Sequence, residues 1–253
     1  MGPLEIIYQD QAIVAINKPA GLLVHPSLVD RYETRSAMKL LRDQLGRWVY
    51  PVHRLDKPTS GVLLFALNSE VAQRLGEQFE GRGVEKRYLA VVRGHPDQQE
   101  VIDYPLKELL DKMTDRRARQ NKPAQPAVTR YRCLATAELP YRVDRYPSSR
   151  YALLELCPET GRKHQIRRHM KHIFHPIIGD TSYCKSRHNR LFERLFDCRR
   201  LLLTAVTLCF RHPLSDVPMR LTSELDPPFT RVVHGMTWSE VLAERLMAAD
   251  GDK

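Results

Sequence analysis

The chain has 253 residues, 42% of them apolar, which is enough for one domain with a substantial core. Its 40 Lys and Arg against 30 Asp and Glu give a formal charge of +10, which disfavours a cationic partner and points to a polyanion without choosing between RNA, DNA and anionic lipid. No apolar run approaches the roughly 20 residues that cross a bilayer, the start Met1-Gly2-Pro3-Leu4-Glu5 lacks a basic leader, and the five cysteines are odd in number without a CxxC pair. A soluble cytoplasmic protein with reduced thiols and no membrane association is expected.

The first elements read as short strands. Ile6-Ile7-Tyr8 and Ala12-Ile13-Val14-Ala15-Ile16 are β-rich, and Asn17-Lys18-Pro19-Ala20-Gly21 ends the second with Pro and Gly, so a hairpin delivers a loop. Ala37, Leu40, Leu41 and Leu45 fall at helical spacing and stop at Gly46. The turn His53-Arg54-Leu55-Asp56-Lys57-Pro58-Thr59-Ser60-Gly61 then opens onto the buried-strand run Val62-Leu63-Leu64-Phe65-Ala66-Leu67, which puts Asp56 in a loop at a strand's edge.

Ser69 is the expected N-cap of a helix burying Val71, Leu75 and Phe79, closed by Gly81 and Gly83 before a strand that starts at Tyr88. Residues 111–132 carry seven Lys or Arg against two Asp, with Pro123 and Pro126, and read as an exposed basic loop. Strand-like runs recur at 127–134, 151–157 and 201–210. Two basic stretches lie between and beside them, at 162–175 with five Lys or Arg and no acid, and at 185–200 with six against two. A terminal amphipathic helix at 237–248 rests on Trp238, Val241, Leu242 and Leu246. Periodicity alone supports one mixed domain, α/β or α+β.

The segment around Asp56 resembles the signature of the RluA branch of pseudouridine synthases. Three further matches follow in that family's order: Asn17-Lys18-Pro19-Ala20-Gly21; Lys86-Arg87-Tyr88; and Gly161-Arg162-Lys163-His164-Gln165-Ile166-Arg167 before His175-Pro176-Ile177-Ile178-Gly179-Asp180. A lone HRLD tetrapeptide could be any charged turn, but four ordered motifs in fitting local contexts are not. The resemblance spans about residues 5–210. It implies an α+β fold, a single catalytic domain with a mixed, mostly antiparallel sheet flanked by helices and loops. It also implies an activity, the conversion of uridine in structured RNA to pseudouridine. No N-terminal S4-type RNA-binding domain is expected.

That reaction breaks N1–C1′, turns the uracil in the pocket and joins C5 to C1′. It is redox-neutral and needs no cofactor and no metal. One carboxylate can suffice, and the resemblance makes Asp56 that carboxylate; attack at C1′, addition at C6 and removal of a ribose proton are all open to it. Arg167 is expected to hold the carboxylate ionised in a dry pocket. Tyr88 is expected to stack on the target base, because a phenol with a pKa near 10 makes a poor base unaided. The target must be flipped out of its helix, and Arg54 matches the arginine that fills the vacated place. His53 is assigned to RNA, with fixing its own loop an equal alternative. Arg162, Lys163 and Arg168 are assigned to RNA, Arg162 and Lys163 to its phosphates.

Glycoside hydrolysis also cleaves at an anomeric carbon but uses two carboxylates, and Asp180, the other motif acid, reads as part of a turn. His164, His169, His172 and His175 do not have the spacing of a zinc pair and have no acid beside them. The non-enzyme alternative is a catalytically silent RNA-binding protein. Within the family, residues 123–129 and 145–151 and the doubly basic Lys163 and Arg168 resemble a subgroup acting on uridine 65 of certain tRNAs, with ribosomal RNA as the alternative substrate. Substrate choice would rest on basic segments such as 111–122 and 187–200, with no obligate protein partner.

Overall fold

The computed structural model describes residues 2–26, 35–109 and 122–251, the last six by backbone alone. Of the exposed basic loop expected at 111–132, residues 111–121 fall outside the described residues, while 128–132 are instead the start of a strand in which Thr129 and Tyr131 are buried.

The first half builds around strands β1 (Ile6–Gln9), β2 (Ile13–Lys18) and β4 (Ser60–Ala66), with helix α1 (Ala37–Leu45) and a short edge strand β3 (Tyr50–Pro51) between them. Every residue of β4 is buried, as expected of a strand covered on both faces. Leu63 and Phe65 pack with Val14, Ile16 and Leu41 of α1. The alternate residues Val62 and Leu64 pack with Ile13, Val71 and Leu75; the last two belong to α2 (Ser69–Glu80). The N-cap of α2 is Asn68, whose side chain accepts from the Val71 N–H, so Ser69 is the first helical residue rather than the cap.

The second half contains β5 (Glu85–Arg93), β6 (Gln99–Asp103), β7 (Val128–Leu139), β8 (Ser149–Pro158), α3 (Gln165–His172), α4 (Ser186–Phe196), β9 (Leu203–Arg211), β10 (Pro218–Thr222), α5 (Pro227–Gly235) and α6 (Ser239–Gly251). The strands form a ten-stranded sheet in the order β1-β2-β4-β9-β5-β8-β7-β6, with β10 on β9 and β3 on β4. Among the described pairings all are antiparallel except β4 with β9. The expected mixed, mostly antiparallel sheet flanked by helices is therefore what the chain forms.

Helices α4 and α5 cover one face of β5 and β8 through Leu191, Phe192, Phe229, Val232 and Val233, while α3 covers the other through Ile166 and Met170. The core runs on past residue 210. In the C-terminal helix Leu242 is buried, as is Trp238 just before it, but Val241 faces solvent, contrary to the expected apolar stripe. Among the described residues no helix is long and apolar enough to cross a membrane.

The two halves meet where β4 and β9 run parallel. There Gly61, at φ +110°, lies so close to β9 that an added Cβ would be 2.1 Å from the Ala205 carbonyl oxygen. This seam places the loop before β4 beside the start of α3.

Candidate active site

Asp56 lies in the loop between β3 and β4, where its carbonyl accepts from the Thr59 N–H at 3.0 Å and closes a turn. Lys18, fully buried, anchors this loop from the end of β2. Its ammonium donates to the carbonyls of Pro19 (2.9 Å), Leu22 (2.8 Å) and Lys57 (3.2 Å). Burial pulls the Lys18 pKa down to about 7, with the Arg200 charge adding to the effect and Asp56 opposing it. The Asn-Lys-Pro-Ala-Gly motif thus acts on the Asp56 loop from beneath.

Arg167 projects from α3 with a side chain 5% exposed. Its Nε and Nη2 donate to the two oxygens of Asp180 at 2.7 and 3.0 Å, and its Nη1 donates to Asp56 Oδ2 at 3.3 Å. Burial alone would lower the arginine's pKa; the paired carboxylates reverse that and raise it, so the guanidinium stays charged. Asp180 is itself held by the Ser182 and Tyr183 N–H groups, both donating to Oδ1. It is the turn residue the sequence suggests and also the clamp on Arg167, a role that sequence reasoning missed. Gly179 makes the geometry possible: at φ +80° it abuts Arg200, whose carbonyl oxygen would be 1.9 Å from an added Cβ.

Tyr88 lies inside β5, which begins at Glu85 rather than at the tyrosine. The β5–β9 register slips between Arg87 and Tyr88, and such bulges re-aim a side chain. Burial, and secondarily the nearby Asp56 charge, raise the phenol's pKa well above its ordinary value, so the ring offers a surface more readily than a base.

A cavity of about 680 Å³ opens over these groups, lined among others by Arg54, Asp56, Lys86, Tyr88, His164 and Arg167. That volume accommodates a flipped nucleotide. Arg54 is exposed at its mouth with no hydrogen bond or ion pair among the described residues. His53 is engaged with its own loop: Nε2 accepts from the Leu64 N–H at 3.0 Å and the ring stacks on Phe79 at 4.9 Å. Burial, then the Lys86 charge, press its pKa down to about 3.

Arg162 and Lys163 are exposed on the loop before α3, where they donate to the carbonyls of Pro126 and Leu109. Arg168 is partly exposed one position beyond Arg167. Gln165 fixes this corner through Thr160, the Arg162 N–H, Val128 and Thr129.

Two further residues reach the site. His164, at φ +56°, points Nε2 to within 4.0 Å of Asp56 Oδ2 and bonds the Tyr183 hydroxyl through Nδ1 at 3.1 Å. Burial lowers its pKa against the opposing pull of Asp56. Tyr183 lies under the Arg167 guanidinium, 5.1 Å from its ring centre. His164 was visible within its motif but grouped with three other histidines. Those go elsewhere: His169 to Thr129 and Tyr104, His172 onto the Tyr104 ring, and His175 to the Arg93 carbonyl.

Comparison with known proteins identifies the family. A family profile described as RNA pseudouridylate synthase matches residues 12–172, well over half of the chain and inclusive of Asp56, Tyr88 and Arg167. The chain is 50% identical over 239 residues to tRNA pseudouridine synthase C of Vibrio cholerae, covering 94% of this chain and 98% of that protein. It is 52% identical over 235 residues to the protein of that name from Pasteurella multocida, covering 93% and 97%. Identity to the Pectobacterium carotovorum protein of that name is 54% over 241 residues, and there the chain spans 64% of the relative's length. Human RNA pseudouridylate synthase domain containing 4 superposes with a TM-score of 0.68 at 29% identity, covering 92% of this chain and 93% of that one. Domain containing 1 superposes with a TM-score of 0.66 at 26% identity, covering 90% and 87%. With the profile, the relatives and the site in agreement, the chain belongs to the RNA pseudouridylate synthase family.

Proposed function

We propose that this chain is a tRNA pseudouridine synthase, an isomerase that converts uridine 65 of certain tRNAs to pseudouridine with Asp56 as its catalytic carboxylate. The observation that carries the reading is the hydrogen-bonded chain Asp180–Arg167–Asp56, buried at Asp180 and Arg167 and ending with Asp56 in the lining of a nucleotide-sized cavity. One carboxylate is spent on orienting the arginine, and the other is left with an open face toward the cavity. A glycosidase would need both free.

In this reading the target nucleotide flips into the cavity, and Arg54 takes its place in the helix. Tyr88 stacks on the uracil, and Arg167 keeps Asp56 ionised and aimed. Arg162, Lys163 and Arg168 hold phosphates. His53 holds the loop rather than the RNA. The uracil loses its bond from N1 to C1′, turns, and gains one from C5; the C5 proton leaves to solvent and N1 takes up a proton, so no electron acceptor is required.

The names of the relatives, all tRNA pseudouridine synthase C at 50 to 54% identity, support tRNA as the substrate. The five cysteines, all free in the structure, suit work in the cytoplasm.

The test is release of tritium from C5-labelled uridine. Release from tRNA transcripts, abolished when uridine 65 is replaced by cytidine, is the expected result. Release from ribosomal RNA alone would keep the chemistry and overturn the substrate.

A further inference from the structure

We propose that the β7–β8 hairpin and helix α4 form a second RNA-contact surface, outside the cleft, that grips the phosphate backbone of another segment of the same structured RNA. The inference rests on the reading above that the substrate is a structured RNA.

The hairpin end of this surface lies at the far end of the sheet from the chemistry, while α4 reaches back toward it, the inward Asn189 bonding Gly179 and the Asp180 carbonyl and the arginines lying on its outer face. Tyr88 pairs with Leu156, and β8 begins at Ser149, seven residues back along the strand, which at the usual strand rise is about 23 Å. There Asp144 ties three elements together, receiving Lys185 at 3.2 Å, His188 at 3.5 Å and Arg93 at 3.6 Å. The His188 ring is in turn bonded to the buried Tyr151 hydroxyl at 2.9 Å. Hairpin and helix are therefore one rigid unit.

What this unit shows to solvent is a row of arginines. Arg187, Arg190 and Arg194 are exposed at i, i+3 and i+7, one face of α4, and none has a carboxylate partner among the described residues. Like charges at this spacing oppose each other, and Arg187 in the first turn opposes the helix dipole. An arrangement unfavourable to the free helix is what a polyanion would relieve.

Two exposed rings accompany the charges. Arg145 lies over Tyr146, which is 58% exposed, at 4.7 Å, and Arg194 lies over Tyr141, 37% exposed, at 5.4 Å. Paired guanidinium and aromatic planes suit phosphates and unstacked bases. Arg200, at the end of the same basic stretch, does not join them: it turns inward to Ser60 and Asp226.

The test compares full-length tRNA with a short stem–loop cut around the modified uridine, using wild type and the triple variant Arg187→Gln/Arg190→Gln/Arg194→Gln. All three positions are exposed, so folding should be intact, and circular dichroism checks it. For full-length tRNA, KM should rise at least tenfold at unchanged kcat. The slope of log binding constant against log salt should flatten by about 0.7 to 0.9 for each lost contact. For the stem–loop, both should stay within twofold.

An unchanged salt slope on full-length tRNA, or an equal loss on both RNAs, overturns the proposal. So does loss of binding to phosphatidylserine vesicles with RNA affinity unaltered. Failure of the substrate reading shows separately, as wild-type release from ribosomal RNA in place of tRNA; the same paired comparison is then made on that RNA.

Discussion

Arg167 stands between Asp56 and Asp180 and divides its donors unequally: Nε and Nη2 go to Asp180, and a single longer bond from Nη1 goes to Asp56. The bidentate pair fixes the guanidinium plane, and the remaining donor fixes where Asp56 points. Asp180 is thus a positioning residue. Asp180→Ala strands a buried cation and should cost about 3 kcal/mol or more of stability. Asp180→Asn should fold better yet lower kcat at least tenfold with KM nearly unchanged, because it loosens the arginine without touching RNA. Chemical denaturation and single-turnover kinetics read the two effects apart.

Arg167→Lys keeps the charge and loses the fork. One ammonium cannot serve both carboxylates in this geometry, so kcat should fall by about a hundredfold or more, in the range seen when a preorganised donor is removed. Near-normal turnover in this variant would show that charge alone is enough.

Tyr88 has its phenol pushed away from deprotonation by burial and by Asp56. If its ring is what counts, Tyr88→Phe should retain kcat within about tenfold, whereas Tyr88→Ala loses the stacking face, commonly about 1 to 3 kcal/mol per base. Equal losses in the two variants would assign the function to the hydroxyl.

Stability should fall on mild acidification. His169 is fully buried and His188 nearly so, and burial lowers the pKa of both. A histidine with a native pKa below its unfolded value near 6.5 contributes its full stability above that value. The contribution is lost as pH falls toward the native pKa, because the unfolded chain takes up a proton the fold refuses. The thermal midpoint should therefore drop between pH 7.5 and 5.5, and His169→Gln should reduce that drop.

Much of the site was legible because its residues cluster in short motifs with a single chemical meaning. Asp56 falls in a Pro- and Gly-bearing turn before a run of buried β-formers, so loop and strand both read directly. Asp180 reads as a turn and is one; that it also clamps a residue thirteen positions earlier depends on Gly179 packing against Arg200, which no local pattern reveals. The extent of helix α3 hid for a different reason, although its start falls in the Gly161–Arg167 motif. The helix buries Gln165, Arg167 and His169 beside Ile166 and Met170, so its inward face is largely polar and leaves no apolar stripe. The bulge that aims Tyr88 and the inward turn of Arg200 are likewise products of pairing between distant strands and side chains.

The central claim is that Asp56 performs the chemistry on a bound RNA. The most direct measurement is tritium release from C5-labelled tRNA by Asp56→Asn beside the wild type, with binding of the same tRNA measured in parallel. Full loss of release with affinity within a few-fold of wild type is the result predicted here. Release persisting in Asp56→Asn, or a wild type that binds tRNA tightly and releases nothing, would contradict it.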